Sequence, residues 1–186
     1  QAAEDKPHEP IWGGSDLAAG SDSALGSSLH WTQLRDIAEP IIAEDLAERV
    51  RALDDMFDRT EARVFRESDE VYLRLIGLSF PSGSANIGPE NYDLLEKVIK
   101  ALELYPHGRV IVEGHTDSFG GDDSNLILSR NRAEAVRTFL IMRAGLAAST
   151  IEALGFGETR PFANNDTRQG RALNRRIDVR ILPRKE

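Results

Sequence analysis

The residues best equipped for chemistry stand at the two ends of one local unit. A β-branched run, Val110-Ile111-Val112, leads through Glu113-Gly114-His115-Thr116 into Asp117, and Arg132 follows fifteen positions later in a helical segment. An acid at the carboxyl end of a strand stands where α/β folds place ligands. Arg132 shares an i,i+4 line with Leu128, Val136 and Leu140, so the pattern puts a guanidinium on the buried side of an amphipathic helix, where a charge needs a partner. Two readings follow. Asp117 and Arg132 form a structural salt bridge that staples loop to helix, or they form a split site. In the split site the carboxylate holds an ammonium and the forked guanidinium holds a carboxylate, which together recognise an amino-acid zwitterion. Pattern alone leaves both open.

Other chemistries have less behind them. His115 near Asp117 invites a catalytic dyad, but no serine or cysteine nucleophile accompanies it. The histidines stand at 8, 30, 107 and 115, without metal-ligand spacing. No phosphate-cradling glycine motif is present, and Gly120-Gly121 reads as strain relief in the loop after Asp117. No cofactor is implied.

The elements that must position these residues come from periodicity. Val71 to Leu78 is rich in β-formers and reads as a first strand. Phe80 to Gly88 is a loop. Pro89 opens a helix with Leu95, Val98, Ile99 and Leu102 on one face, stopped by Tyr105-Pro106-His107-Gly108. Val110 to His115 is the second strand. Asn125 to Arg143 is the second helix, with Gly145 where a C-terminal cap belongs. Ile151 to Phe156 is a third strand. Ile177, Val179 and Ile181 alternate with Arg176, Asp178 and Arg180 as a half-buried fourth strand. The order predicts an α/β (α+β) fold, βαβαββ, with helices on a mixed sheet that contains parallel pairings.

Upstream, apolar residues recur at helical spacing from Trp31 to Phe65, through Leu34, Ile37, Ile41, Leu46, Val50, Leu53 and Phe57. Pro40 divides this into two helices. An amphipathic helix packed on the main domain is the first reading, and a dimerising coiled coil its competitor. Residues 1–30, rich in Ala, Gly, Ser, Asp and Pro, read as a flexible arm, with Trp12 as a loose surface contact. The division is therefore 1–30 arm, 31–68 helical extension and 69–186 main domain. The chain has 186 residues, 40% hydrophobic, with a net charge of −8 and no cysteine. That charge argues against non-specific nucleic-acid or anionic-membrane binding. Disulfides and thiolate metal sites are excluded. No apolar run approaches the roughly 18 residues of a membrane span. The start at Gln1, without a signal-like segment, makes a processed chain the expectation.

Taken together, these residues resemble the OmpA-like, peptidoglycan-associated domain family over about Val71 to Leu182. The matching elements are Gly114-His115-Thr116-Asp117, Asn125, Leu128-Ser129, Arg132-Ala133, Val136 and Leu140. Gly155-Phe156-Gly157-Glu158 with Pro161, and Gly170-Arg171 with Asn174-Arg175-Arg176, follow in the same order. The resemblance implies a non-enzymatic, periplasmic domain that binds peptidoglycan non-covalently and tethers the envelope to the cell wall. It implies that Asp117 and Arg132 grip the free ammonium and carboxylate of meso-diaminopimelate in the peptide stem. Asn125 and Arg175 match further pocket positions, and Phe80 and Thr116 match positions beside it. One departure is Pro81, where the family often has an acidic residue. Proline lacks an N–H, so a backbone contact to the ligand is lost or the loop is rebuilt. The alternative is an assembly domain that keeps the fold without ligand binding. The N-terminal helices leave room for an envelope-protein partner or a homodimer.

Overall fold

The computed structural model describes residues 45–184. The expected arm, Trp12 and the helix before Pro40 lie outside the described residues. A helix, α1, covers 45–56. It is followed by β1 (Ala62–Glu67), β2 (Glu70–Leu75) and a 3-10 turn at Pro89–Asn91. The turn leads into α2 (Tyr92–Glu103), and β3 (Arg109–Gly114), α3 (Asp122–Ala144), β4 (Ile151–Gly155), α4 (Arg168–Asn174) and β5 (Ile177–Leu182) complete the fold. Among the described residues no helix is long and apolar enough to cross a membrane.

The five strands form one mixed sheet in the order β1-β2-β5-β3-β4. Only β3 and β4 pair in parallel, while β5 runs antiparallel to both β2 and β3. The α2 crossover thus leaves a gap between β2 and β3, and the last strand fills it. The predicted α+β class with a mixed sheet is observed, with two additional elements, β1 and α4.

The alternation of side chains across the strands makes two unlike faces. Val71, Leu73, Leu75, Val110, Val112, Ile151, Ile177, Val179 and Ile181 are buried in one apolar cluster with Leu95 and Val98 of α2 and Ala133, Val136 and Leu140 of α3. The intervening positions form ion-pair ladders. Arg74 donates to both oxygens of Asp178 at 2.9 Å, and Arg180 bridges Glu70 and Glu113.

The helical pattern does not continue to Phe65 as expected. Ala62–Glu67 is a strand, paired in register from Ala62–Leu75 to Glu67–Glu70. Ser68, with φ of 55°, makes the two-residue turn, a left-handed conformation that suits the strand twist at a hairpin. Phe65 stacks on Tyr72 across the pair at 5.1 Å. The sheet therefore begins before residue 69, where the extension was expected to end. Leu53 is fully buried and Phe57 nearly so, which puts the described helix on the core of this domain.

Two glycines set the height of α3 above the sheet. Gly114 and Gly155 are register partners on β3 and β4. A Cβ on Gly114 would collide with the Ser129 carbonyl, and one on Gly155 with the Arg130 backbone. The missing side chains let α3 lie directly on the strand ends. Gly145 closes the helix in the left-handed conformation, φ 64°, its N–H donating to the Ile141 carbonyl, as expected for a C-terminal cap.

Candidate ligand-binding site

Beyond the carboxyl end of β3 lies a cavity of about 1120 Å³. All six residues singled out from the sequence line it: Phe80, Thr116, Asp117, Asn125, Arg132 and Arg175. Asp117 and Arg132 are each only 6% exposed.

Asp117 follows β3 and is held by its own loop. The Phe119 N–H donates to its Oδ1 at 3.1 Å. Its other oxygen, Oδ2, accepts from Arg175 Nη1 at 2.5 Å. Arg175 reaches it from the end of α4, where it caps the helix with its N–H on the Arg171 carbonyl. An Asp117–Arg132 salt bridge, one of the two readings of the pattern, is not formed. Arg132 Nε donates to the Ser84 carbonyl at 2.8 Å and Nη2 to the Pro81 carbonyl at 3.3 Å. The reason is direction. Its guanidinium lies over the Phe80 ring at 5.0 Å, on the loop after β2, whereas Asp117 faces α4.

This geometry gives Pro81 a role that its missing N–H did not reveal. The Ser84 N–H closes a turn on the Pro81 carbonyl at 3.0 Å, with Gly83 at φ 66°. Both carbonyls at the ends of that turn aim the guanidinium. Of five N–H donors on Arg132, two are engaged, and among the described residues no carboxylate pairs with it. Its pKa is lowered, first by burial and then by the neighbouring Arg175 charge, against an opposing contribution from Asp117. A buried cation with two neutral acceptors still lacks a counter-charge.

Asn125 works as a brace. Its Nδ2 donates to the Asp117 carbonyl at 3.3 Å and to Glu158 Oε2 at 2.7 Å, joining the loop after β3 to the loop after β4. Ser129 Oγ accepts the Gly157 N–H at 2.8 Å from the same helix face. Thr116 fixes the strand end through its N–H on the Gly157 carbonyl, while its Oγ1 has no hydrogen-bond partner among the described residues.

His115 forms no hydrogen bond or ion pair with Asp117. It stacks on Phe156 at 5.4 Å, and its Nε2 lies 3.8 Å from Asp178 Oδ2. Burial, helped by Arg176, pushes its pKa down to about 3, so the ring is neutral. Sequence reasoning missed Phe119, which is 69% exposed at the cavity mouth with the Arg171 guanidinium over its ring at 4.8 Å. It also missed the carbonyls of Pro81 and Ser84, since main-chain groups carry no sequence signal.

The arrangement is a preformed pocket with an acid at one side and an unpaired guanidinium at the other. Comparisons with known proteins show what the chain is similar to. The chain is 38% identical over 132 residues to "Probable lipoprotein YiaD" of Escherichia coli (strain K12), covering 70% of this chain and 60% of that protein. It is 36% identical over 102 residues to "Peptidoglycan-binding protein ArfA" of Mycobacterium tuberculosis, covering 55% of this chain and 31% of that protein. Among solved structures, the cell wall anchor of the T6SS from Pseudomonas aeruginosa aligns with a TM-score of 0.60 at 30% identity, over 76% of this chain and 96% of that one. The chain thus spans less than two thirds of the length of these two curated relatives. The family model described as the OmpA family matches residues 79–175, more than half of the chain, and includes the six residues singled out from the sequence: the chain belongs to the OmpA family.

Proposed function

We propose that this domain binds peptidoglycan non-covalently through the meso-diaminopimelate of its peptide stem. In this reading it acts in the periplasm as a non-enzymatic tether between the envelope and the cell wall. The observation that carries the reading is that Asp117 and Arg132 are buried in one cavity without being paired to each other. The ammonium of the diamino acid meets Asp117, and its side-chain carboxylate meets the free N–H groups of Arg132. Asn125, Thr116 and Phe80 shape the pocket, and Arg175 stands beside the ammonium subsite. Support also comes from a relative named as a peptidoglycan-binding protein and a structural neighbour described as a cell wall anchor. The residues before the domain join it to an anchor or to an envelope partner.

Each charge-assisted contact contributes roughly 1.5–3 kcal/mol net. Two of them, less the cost of immobilising the ligand, give about micromolar to millimolar affinity. That is enough on a polymer that repeats the ligand. Sedimentation with purified sacculi tests the proposal. The wild-type domain pellets with the polymer, and the Asp117→Asn, Arg132→Gln double variant stays in solution. Wild-type protein left in the supernatant would instead favour the assembly-domain reading, for which Pro81 is the motivating residue.

A further inference from the structure

The charges around the cavity do not balance a simple zwitterion. Asp117 contributes one negative charge, and Arg132 and Arg175 contribute two positive ones, all three lining the same space. Arg176, also in the lining, shares the Asp178 carboxylate with Arg74, and His115 is neutral. The side chains of the site therefore carry at least one surplus positive charge, and the Arg175 charge lowers the pKa of Arg132. A zwitterion adds no net charge, so it leaves that surplus in place.

It also worsens the position of Arg175. That guanidinium has Asp117 as its carboxylate partner. An ionised carboxylate offers about four acceptor sites, and Asp117 uses two of them, for Phe119 N–H and Arg175. An ammonium fits on the remaining ones, but it then shares the single negative charge with Arg175 at close range. A second carboxylate on the ligand offsets this surplus if it lies beside the ammonium subsite, where the half-exposed Arg175 side chain can reach it.

We infer that the site selects a ligand with a second free carboxylate, bound by Arg175. This rests on the zwitterion reading above and deepens it. In a peptide stem, that carboxylate is free at the α-carbon of the diamino acid only when the diamino acid is the last residue of the stem. Arg175 thus makes the domain a reader of trimmed stems, whose α-carboxylate an upstream carboxypeptidase-type cleavage of the peptide bond must expose. In stems that continue past the diamino acid, the same carbon carries a neutral amide.

The test compares two synthetic stem peptides by calorimetric titration. One ends at meso-diaminopimelate with a free α-carboxylate, and the other is identical except that this carboxyl is amidated. Both keep the side-chain zwitterion. The free acid is expected to bind about two- to fivefold tighter, in keeping with a partly exposed ion pair. In Arg175→Gln the ratio of the two affinities is expected to fall to one, whatever the affinity the two peptides then share. Folding of that variant is checked by its amide NMR spectrum. Arg175→Lys, which keeps the charge, is expected to retain part of the preference. Equal binding of the two peptides to wild type would overturn the inference while leaving the zwitterion reading intact, and so would a preference that persists in Arg175→Gln. Failure of both peptides to bind would overturn the zwitterion reading and this inference with it.

Discussion

Arg175 Nη1 donates to Asp117 Oδ2 at 2.5 Å, across 58 positions of sequence. Because Asp117 is compensated from α4, the nearer arginine in sequence, Arg132, is left facing the cavity, and among the described residues its hydrogen-bond partners are two carbonyls. The site is thus an ion pair beside a lone cation rather than a closed salt bridge between loop and helix.

Loss of binding therefore separates from loss of stability. Asp117→Asn keeps an acceptor for the Phe119 N–H and removes an ion pair whose arginine is half exposed. Such a pair is worth about 1 kcal/mol or less, so the melting temperature is expected to fall by roughly 5 °C or less. Binding of a stem peptide is expected to fall at least about tenfold, the loss of one charge-assisted contact. Calorimetry and a thermal melt on the same sample check both halves.

The proposed function predicts that Arg132 discriminates between peptide stems. A stem with lysine in place of diaminopimelate lacks the side-chain carboxylate and leaves the buried guanidinium unpaired. A site built for a charged group rejects an analogue without it, and a weakening of about ten- to a hundredfold is expected here. Competition between the two peptides for the domain, followed by NMR, checks it. Equal competition would show that Arg132 does not read the carboxylate.

The glycine pair under α3 sets the site's geometry. Gly114→Ala puts a methyl group into the Ser129 carbonyl, which forces α3 away from the sheet. Overpacking of this kind costs about 1–3 kcal/mol. Because Arg132 rides on the same helix, ligand affinity is expected to fall together with stability. Urea denaturation and peptide titration of the variant measure the two effects.

Acid sensitivity has an identifiable source in His115. Its folded pKa is about 3, well below the ordinary value of 6.5, so between these limits the unfolded chain binds the proton and the native state does not. Stability is complete above about 6.5 and falls as pH drops toward 3, by about 1.4 kcal/mol per pH unit at most. Burial raises the pKa of Glu113, which acts in the opposite sense as pH rises above its ordinary value. The diagnostic quantity is therefore the difference between wild type and His115→Phe. The two are expected to diverge progressively below pH 6.5 in urea titrations, with the variant losing less stability. Parallel curves would remove His115 as the cause.

Much of this fold is legible in the sequence because its core strands alternate cleanly. Ile177, Val179 and Ile181 against Asp178 and Arg180 announce β5, and Gly145 announces the end of α3. β1 was hidden because Val64 and Phe65 extend the helical spacing of Leu53 and Phe57, and only the pairing with β2 decides between the two periods. α4 was hidden because it is seven residues long and contains Gly170, a poor helix former. Thr167 caps it by accepting the Gly170 N–H at 2.9 Å. Asp117 and Arg132 were legible as residue types at a characteristic spacing, and Phe80, Thr116, Asn125 and Arg175 only through the family resemblance. Their pairing was not, since side-chain direction is set by contacts distant in sequence. Arg132 is turned by Pro81 and Ser84, and Arg175 is brought to Asp117 by α4.

The most direct test of the account is a crystal structure of the domain soaked with meso-diaminopimelate. The account predicts the ammonium nitrogen within hydrogen-bond distance of an Asp117 carboxylate oxygen and the carboxylate of the same centre on the Arg132 guanidinium. Ligand bound elsewhere, or bound in the cavity with both of these side chains untouched, would contradict it.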